Sequence, residues 1–160
     1  MSLIKQRILK KELIDIIYQL GLTRYHFLQN QFNNQFKYQD RLLFILSMVT
    51  TSLLTKRILK FQNIKIQVDI VDEVNKIVCF AFQDENDKLI YIQYYLTLKD
   101  EIWNIINNEQ SNFVFELADY FINEITENKN QDDIPRRYMV NILSQWHFET
   151  KNYLKNIKIK

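Results

Sequence analysis

"IKIQVDIVDEVNKIVCFAFQDENDKLIYIQYYL", residues 64–96, decides the fold, because here the apolar period changes from 3.6 to 2. Ile64, Ile66, Val68 and Ile70 alternate with Lys65, Gln67 and Asp69, the pattern of a strand with one wet face. "KIVCFAF" is apolar on both faces and reads as the middle strand of three. "LIYIQYYL" alternates less cleanly and puts tyrosines on an outer face, and the short polar connections "DEVN" and "QDENDK" suit hairpins. The expectation is a three-stranded antiparallel meander over about 63–71, 76–83 and 88–96.

Outside this stretch the spacing is helical. Leu3, Ile4, Ile8, Leu9, Leu13, Ile16, Ile17 and Leu20 recur by threes and fours, predicting a helix over 3–20 that Gly21 would end. Thr23 is placed to cap a second helix over 24–36. A third, over 39–59, contains "RLLFILSMVTTSLLTKR", residues 41–57, with fourteen uncharged residues between basic brackets. That run is too short for a membrane span and carries hydroxyls on its C-terminal half, so it reads as a central helix buried on several sides. Thr97 and Asp100 resemble a capping box before a helix over 98–107. Ser111 would cap a helix over 112–127. Asp133 and Pro135 would start a last helix over 134–156, after the loop "NKNQDD". The predicted object is an α+β, helix-rich single domain over 1–160: three helices, the meander, three helices.

Composition narrows function mainly by exclusion. One glycine in 160 residues leaves no phosphate loop, dinucleotide fingerprint or nucleophile elbow, each of which needs clustered glycines. The single cysteine, Cys79, allows no internal disulfide and suits a reducing, cytoplasmic setting. No signal-peptide pattern is visible, while the amphipathic, basic N-terminal segment leaves a mitochondrial address as the alternative. Charge is segregated: ten basic against three acidic residues over 1–60, five against fifteen over 61–135, six against one over 136–160. No cofactor or metal site is expected. His26, His147 and Cys79 are scattered, and the acidic groups of "QDENDK" lack the alternation and glycine of a calcium loop.

Two functional readings follow. The first is a non-catalytic, soluble protein-binding protein, such as an immunity or inhibitor protein, an adaptor or a small subunit. Its candidate contacts are Tyr91, Tyr94 and Tyr95, since tyrosine gives large contact area at little entropic cost, with Asp84, Glu85 and Asp87 beside them. The alternative is a helix-turn-helix nucleic-acid binder over 13–36. "LIDIIYQLGLTRYHFLQNQF" would then offer Arg24, His26, Gln29 and Asn30 to base edges.

Overall fold

The computed structural model of the chain describes residues 5–32, 40–66, 69–110, 112–126 and 134–159. Its elements are β1 (Gln6–Ile8), α1 (Lys10–Phe32), α2 (Asp40–Phe61), α3 (Ile70–Ala81), α4 (Glu85–Ile106), α5 (Phe113–Thr126), α6 (Arg136–Lys155) and β2 (Ile157–Ile159). The described sheet is two-stranded and parallel, pairing Gln6 with Ile157, Arg7 with Lys158 and Ile8 with Ile159. The expected α+β meander is therefore wrong: the chain is a bundle of helices, tied where its first and last elements meet.

The central stretch shows why. Asp69 stands in extended conformation and its carboxylate accepts from the N–H groups of Val71 and Asp72, so it is an N-cap. From there the buried residues are Ile70, Val71, Val74 and Val78, the stripe of a helix. "KIVCFAF" is apolar on both sides because it wraps a helix: Val78 is buried, Ile77 and Cys79 are half-buried, and Phe80 and Ala81 face water. Asp84 repeats the device, accepting from Asn86 N–H. The third expected strand and the helix expected over 98–107 are one helix, α4, which buries Tyr91, Tyr95, Leu98, Ile102 and Ile106. Thr97 lies inside α4, its hydroxyl donating to the Gln93 carbonyl, and caps nothing. The acids assigned to hairpin turns are thus helix N-caps and first-turn carboxylates, favoured there by the helix dipole.

The N-terminal region also differs from expectation. Residues 6–8 form β1, and the two helices expected over 3–20 and 24–36 are one, α1. Its buried stripe, Leu13, Ile17, Gly21, Arg24, Leu28 and Phe32, keeps threes and fours straight through the glycine. The left-handed turn expected at Gly21 occurs instead at Asn63, whose φ is 56°. There Ile64 N–H donates to the Leu59 carbonyl and Asn63 N–H to that of Lys60, closing the end of α2. Helices over 112–127 and 134–156 correspond to α5 and α6, with Pro135 at the N-cap of α6. Residues 33–36, Val68, the Ser111 cap, the 128–133 loop and the Asp133 cap lie outside the described residues.

Helix α2 is the axis of the described structure, touching each of the other five described helices. It is buried nearly all round, including every residue from Ile45 to Thr55. A fully buried Leu or Ile contributes roughly 1.5–3 kcal/mol, so this one segment carries much of the core. Three of its hydroxyls bond within the helix, Ser47, Ser52 and Thr55 donating to the carbonyls of Leu43, Met48 and Thr51, while Thr51 Oγ1 accepts from Arg24 and buried Thr50 Oγ1 has no hydrogen-bond partner among the described residues. By length and composition α2 could cross a membrane, with mean hydropathy 1.6 over its best window, yet 83% of that window is buried inside the protein.

Candidate functional site

A concavity walled mainly by aromatic side chains lies between α1, α2 and α4 beside the α3–α4 connection. It has a volume of about 280 Å³ and is lined by Tyr25, Asp40, Arg41, Phe44, Phe82 and Tyr91, with Ile45, Ile90 and Asp87 completing it. The rings pack as a continuous surface around Phe44. Tyr25 lies 5.2 Å away at 86°, Phe82 6.2 Å away at 89°, and Tyr91 6.4 Å away at 54°. Phe82 and Tyr91 are themselves 5.3 Å apart. Among the described lining residues charge is confined to three: Arg41 Nη2 meets Asp87 Oδ1 at 2.6 Å, and Asp40 accepts from Tyr25 Oη at 2.6 Å and Gln29 Nε2 at 2.9 Å. Burial, then the Asp40 carboxylate, push the Tyr25 phenol well above its ordinary range, so it stays protonated and donates.

The tyrosines singled out in the sequence separate. Tyr91 and Tyr95 are buried and stacked at 5.9 Å, and Tyr95 donates to Asp72 Oδ1 at 3.2 Å. Tyr94 is 52% exposed. Among the acids, Asp84 caps α4, Glu85 lies 3.6 Å from Lys88 Nζ, and Asp87 stands in the cavity lining. Around the α3–α4 connection other large apolar side chains face water: Phe80 at 89% exposure, Leu89 at 57% and Ile90 at 37%. Sequence reasoning missed Tyr25, Asp40, Arg41, Phe44 and Phe82 as one group, because they come from separate elements and share no local motif.

The residues offered for base contacts sit on the uninterrupted helix α1, which has no turn between 13 and 32. Arg24 is 3% exposed and points into the protein. It donates to Thr51 Oγ1, the Trp146 carbonyl and Thr150 Oγ1, lies 3.8 Å from Glu149 and packs on the Trp146 ring. Burial outweighs Glu149 and brings its pKa down to about 10, so it remains a cation at neutral pH. His26 and Gln29 interact with each other at 3.4 Å, and Asn30 is exposed.

A second buried arginine organises the far end of α4. Arg57 Nε donates to the carbonyls of Ile106 and Asn108, Nη2 donates to those of Asn108 and Gln110, and its guanidinium lies 4.2 Å from the centre of the Phe113 ring. Its Nη1 is 3.1 Å from His147 Nε2. Since a guanidinium only donates, that imidazole nitrogen must carry a lone pair. Burial first, then Arg57 and Lys151, hold His147 down to about 4.

This depression gives stability a defined pH dependence. The unfolded chain takes up the proton near the ordinary value of 6.5, whereas the folded chain resists it until about 4. The contribution is therefore complete above pH 6.5 and is lost as pH falls towards 4. The ring is partly exposed, so the loss is expected to be about 1–2 kcal/mol after solvent screening, less than the full linkage value. Urea denaturation at about pH 7 and about pH 4.5 should show it, and His147→Gln, which keeps an acceptor for Arg57 but cannot titrate, should remove that increment.

Among the described residues no group of three or more His, Cys, Asp and Glu side chains could hold a metal ion. Cys79 lies 3.9 Å from Asn75 Oδ1, and burial raises its thiol pKa. Comparison with protein-family models, with curated proteins and with solved structures finds no match to this chain.

Proposed function

We propose that this chain is a non-catalytic protein-binding protein whose contact face is built on the end of α3 and the solvent side of α4. The observation that supports this is the exposure of Phe80 near the end of α3 and of Leu89, Ile90 and Tyr94 on α4, with Ile90 also lining the ring-lined cavity. Exposed apolar side chains clustered around a concavity, with charge at its margin, have the composition of an interface centre. Tyr94 keeps the role the sequence suggested for it. Tyr91 and Tyr95 act from beneath, stacking under the face and positioning it.

Site-specific photocrosslinking in cells of the native source tests this reading. A crosslinker at Phe80, Leu89 or Tyr94 is expected to trap one discrete partner, while the same group at exposed Asn141 or Gln145 on α6 traps none. Leu89→Asp with Tyr94→Asp should abolish the adduct formed from position 80 while leaving the thermal unfolding transition in place. Equal trapping from α6, or none from the α3–α4 face, would contradict the proposal.

A further inference from the structure

The cavity itself joins two features that an ordinary interface pocket does not require. Its surface is aromatic, from Tyr25, Phe44, Phe82 and Tyr91, while the charged side chains among the described lining residues are two carboxylates, Asp40 and Asp87, against one guanidinium, Arg41. We propose that this cavity binds a methylated ammonium group, a cation that carries its own apolar surface.

Three properties favour that occupant. A bare ammonium is a compact, strongly hydrated charge and would leave water unwillingly for a wall of rings. A neutral alkyl group would enter but draw nothing from the carboxylates. Methylation resolves the conflict, because the methyl groups bury against the rings while the diffuse positive charge is attracted by their π faces and by Asp40 and Asp87.

The Arg41 side chain indicates the sign of charge this margin attracts. Its guanidinium rests on Asp87 at 2.6 Å although the side chain is 61% exposed, so an entering cation can displace it into solvent without disturbing the core. Asp40 is anchored by Tyr25 and Gln29 and stands in the cavity lining. At about 280 Å³ the space falls near the lower end of ligand cavities and suits a small head group with a short stem. That head group can arrive as a free small cation or as the trimethylated lysine of a partner protein.

The inference concerns the cavity and does not rest on the protein-binding reading, so crosslinking and the following titration can fail separately. Isothermal titration of the full chain compares choline with its neutral carbon isostere 3,3-dimethylbutan-1-ol, and a trimethyllysine peptide with its unmodified counterpart. Choline is expected to bind at least about fivefold more tightly than the isostere, the discrimination a partly desolvated cation–π site supplies. Phe82→Leu removes a π face at nearly constant apolar character, and Asp40→Asn removes charge but keeps an acceptor for Tyr25. Each should weaken choline binding by roughly threefold or more, with thermal unfolding checking that the variants fold. Choline binding alone assigns the site to a free cation, and selective binding of the trimethylated peptide assigns it to a partner; both sustain the proposal. Equal binding of the isostere, equal binding of the unmodified peptide, unchanged affinity in both variants, or no binding by any ligand would overturn it.

Discussion

Replacing Arg57 by alanine is expected to destabilise the protein by about 2–4 kcal/mol, from the charge-assisted hydrogen bonds to neutral acceptors and the stem packing that are lost together. The last carbonyls of a helix have no partner within it, and those following α4 turn inward against α2. Arg57 supplies them: a 6% exposed guanidinium donates to Ile106, Asn108 and Gln110 and lies against Phe113. Truncation leaves the half-buried Asn108 carbonyl without its donor, reduces the buried Ile106 carbonyl to the Asn108 N–H alone, and opens a void beside the ring. For a chain of this size the corresponding fall in melting temperature is roughly 10 °C. Arg57→Lys should recover little, because one ammonium cannot reproduce a planar fork that reaches several carbonyls. Arg57→Met separates the terms, keeping most of the stem's packing while removing every donor. Urea denaturation of the three variants decides it, and a methionine variant as stable as the parent would show that packing, not carbonyl satisfaction, is what Arg57 provides.

Arg57 also marks how far the sequence could be read. It looked like the closing bracket of an uncharged run, and that the run forms a central helix was legible because fourteen consecutive uncharged residues leave no wet side. Nothing local told that its flanking cation would be buried, since its acceptors lie about fifty positions away in the 106–110 segment. The meander failed for a different reason. Val, Ile, Phe and Tyr favour strands intrinsically, but that preference is weak beside capping and packing. Asp69 with Asp72, and Asp84 with Asp87, are the available signs of helix starts, but Asp69 also fits the wet face of a strand and the other three fit polar turns. Val74 to Val78 then fits i, i+4 against the core as well as any alternation. The parallel β1–β2 pair joins segments 151 positions apart, and three-residue strands leave almost no periodic trace. The strand reading put Tyr91, Tyr94 and Tyr95 on one outer face, and only helix α4 separates exposed Tyr94 from buried Tyr91 and Tyr95, just as the Tyr25–Phe44–Phe82–Tyr91 surface exists only once α1, α2 and α4 are assembled.

The single glycine shows the same competition between local preference and packing, and it can be measured. A Cβ built on Gly21 would lie 2.6 Å from Met48 Sδ and 3.5 Å from Met48 Cα, so α1 and α2 approach closely only because this position has no side chain. Met48 is 1% exposed, so its thioether must repack within the core to admit a side chain at position 21. Gly21→Leu is expected to cost at least about 3 kcal/mol or to prevent folding, as overpacking at a helix crossing does. Gly21→Ala is the more informative change, because two effects oppose. Alanine gains about 1 kcal/mol of helix propensity over glycine, while displacing the Met48 thioether costs about 1–3 kcal/mol, so the net result should be mild destabilisation. In a Met48→Ala background the thioether is gone and the added methyl meets only ordinary contacts. There Gly21→Ala should stabilise by about 1 kcal/mol, giving a coupling energy of about 1–3 kcal/mol between the two positions. If the double-mutant cycle closes with no coupling, the glycine would be serving chain flexibility rather than the α1–α2 approach. The left-handed conformation that glycine usually supplies is already taken by Asn63 at the end of α2, which frees Gly21 for the crossing.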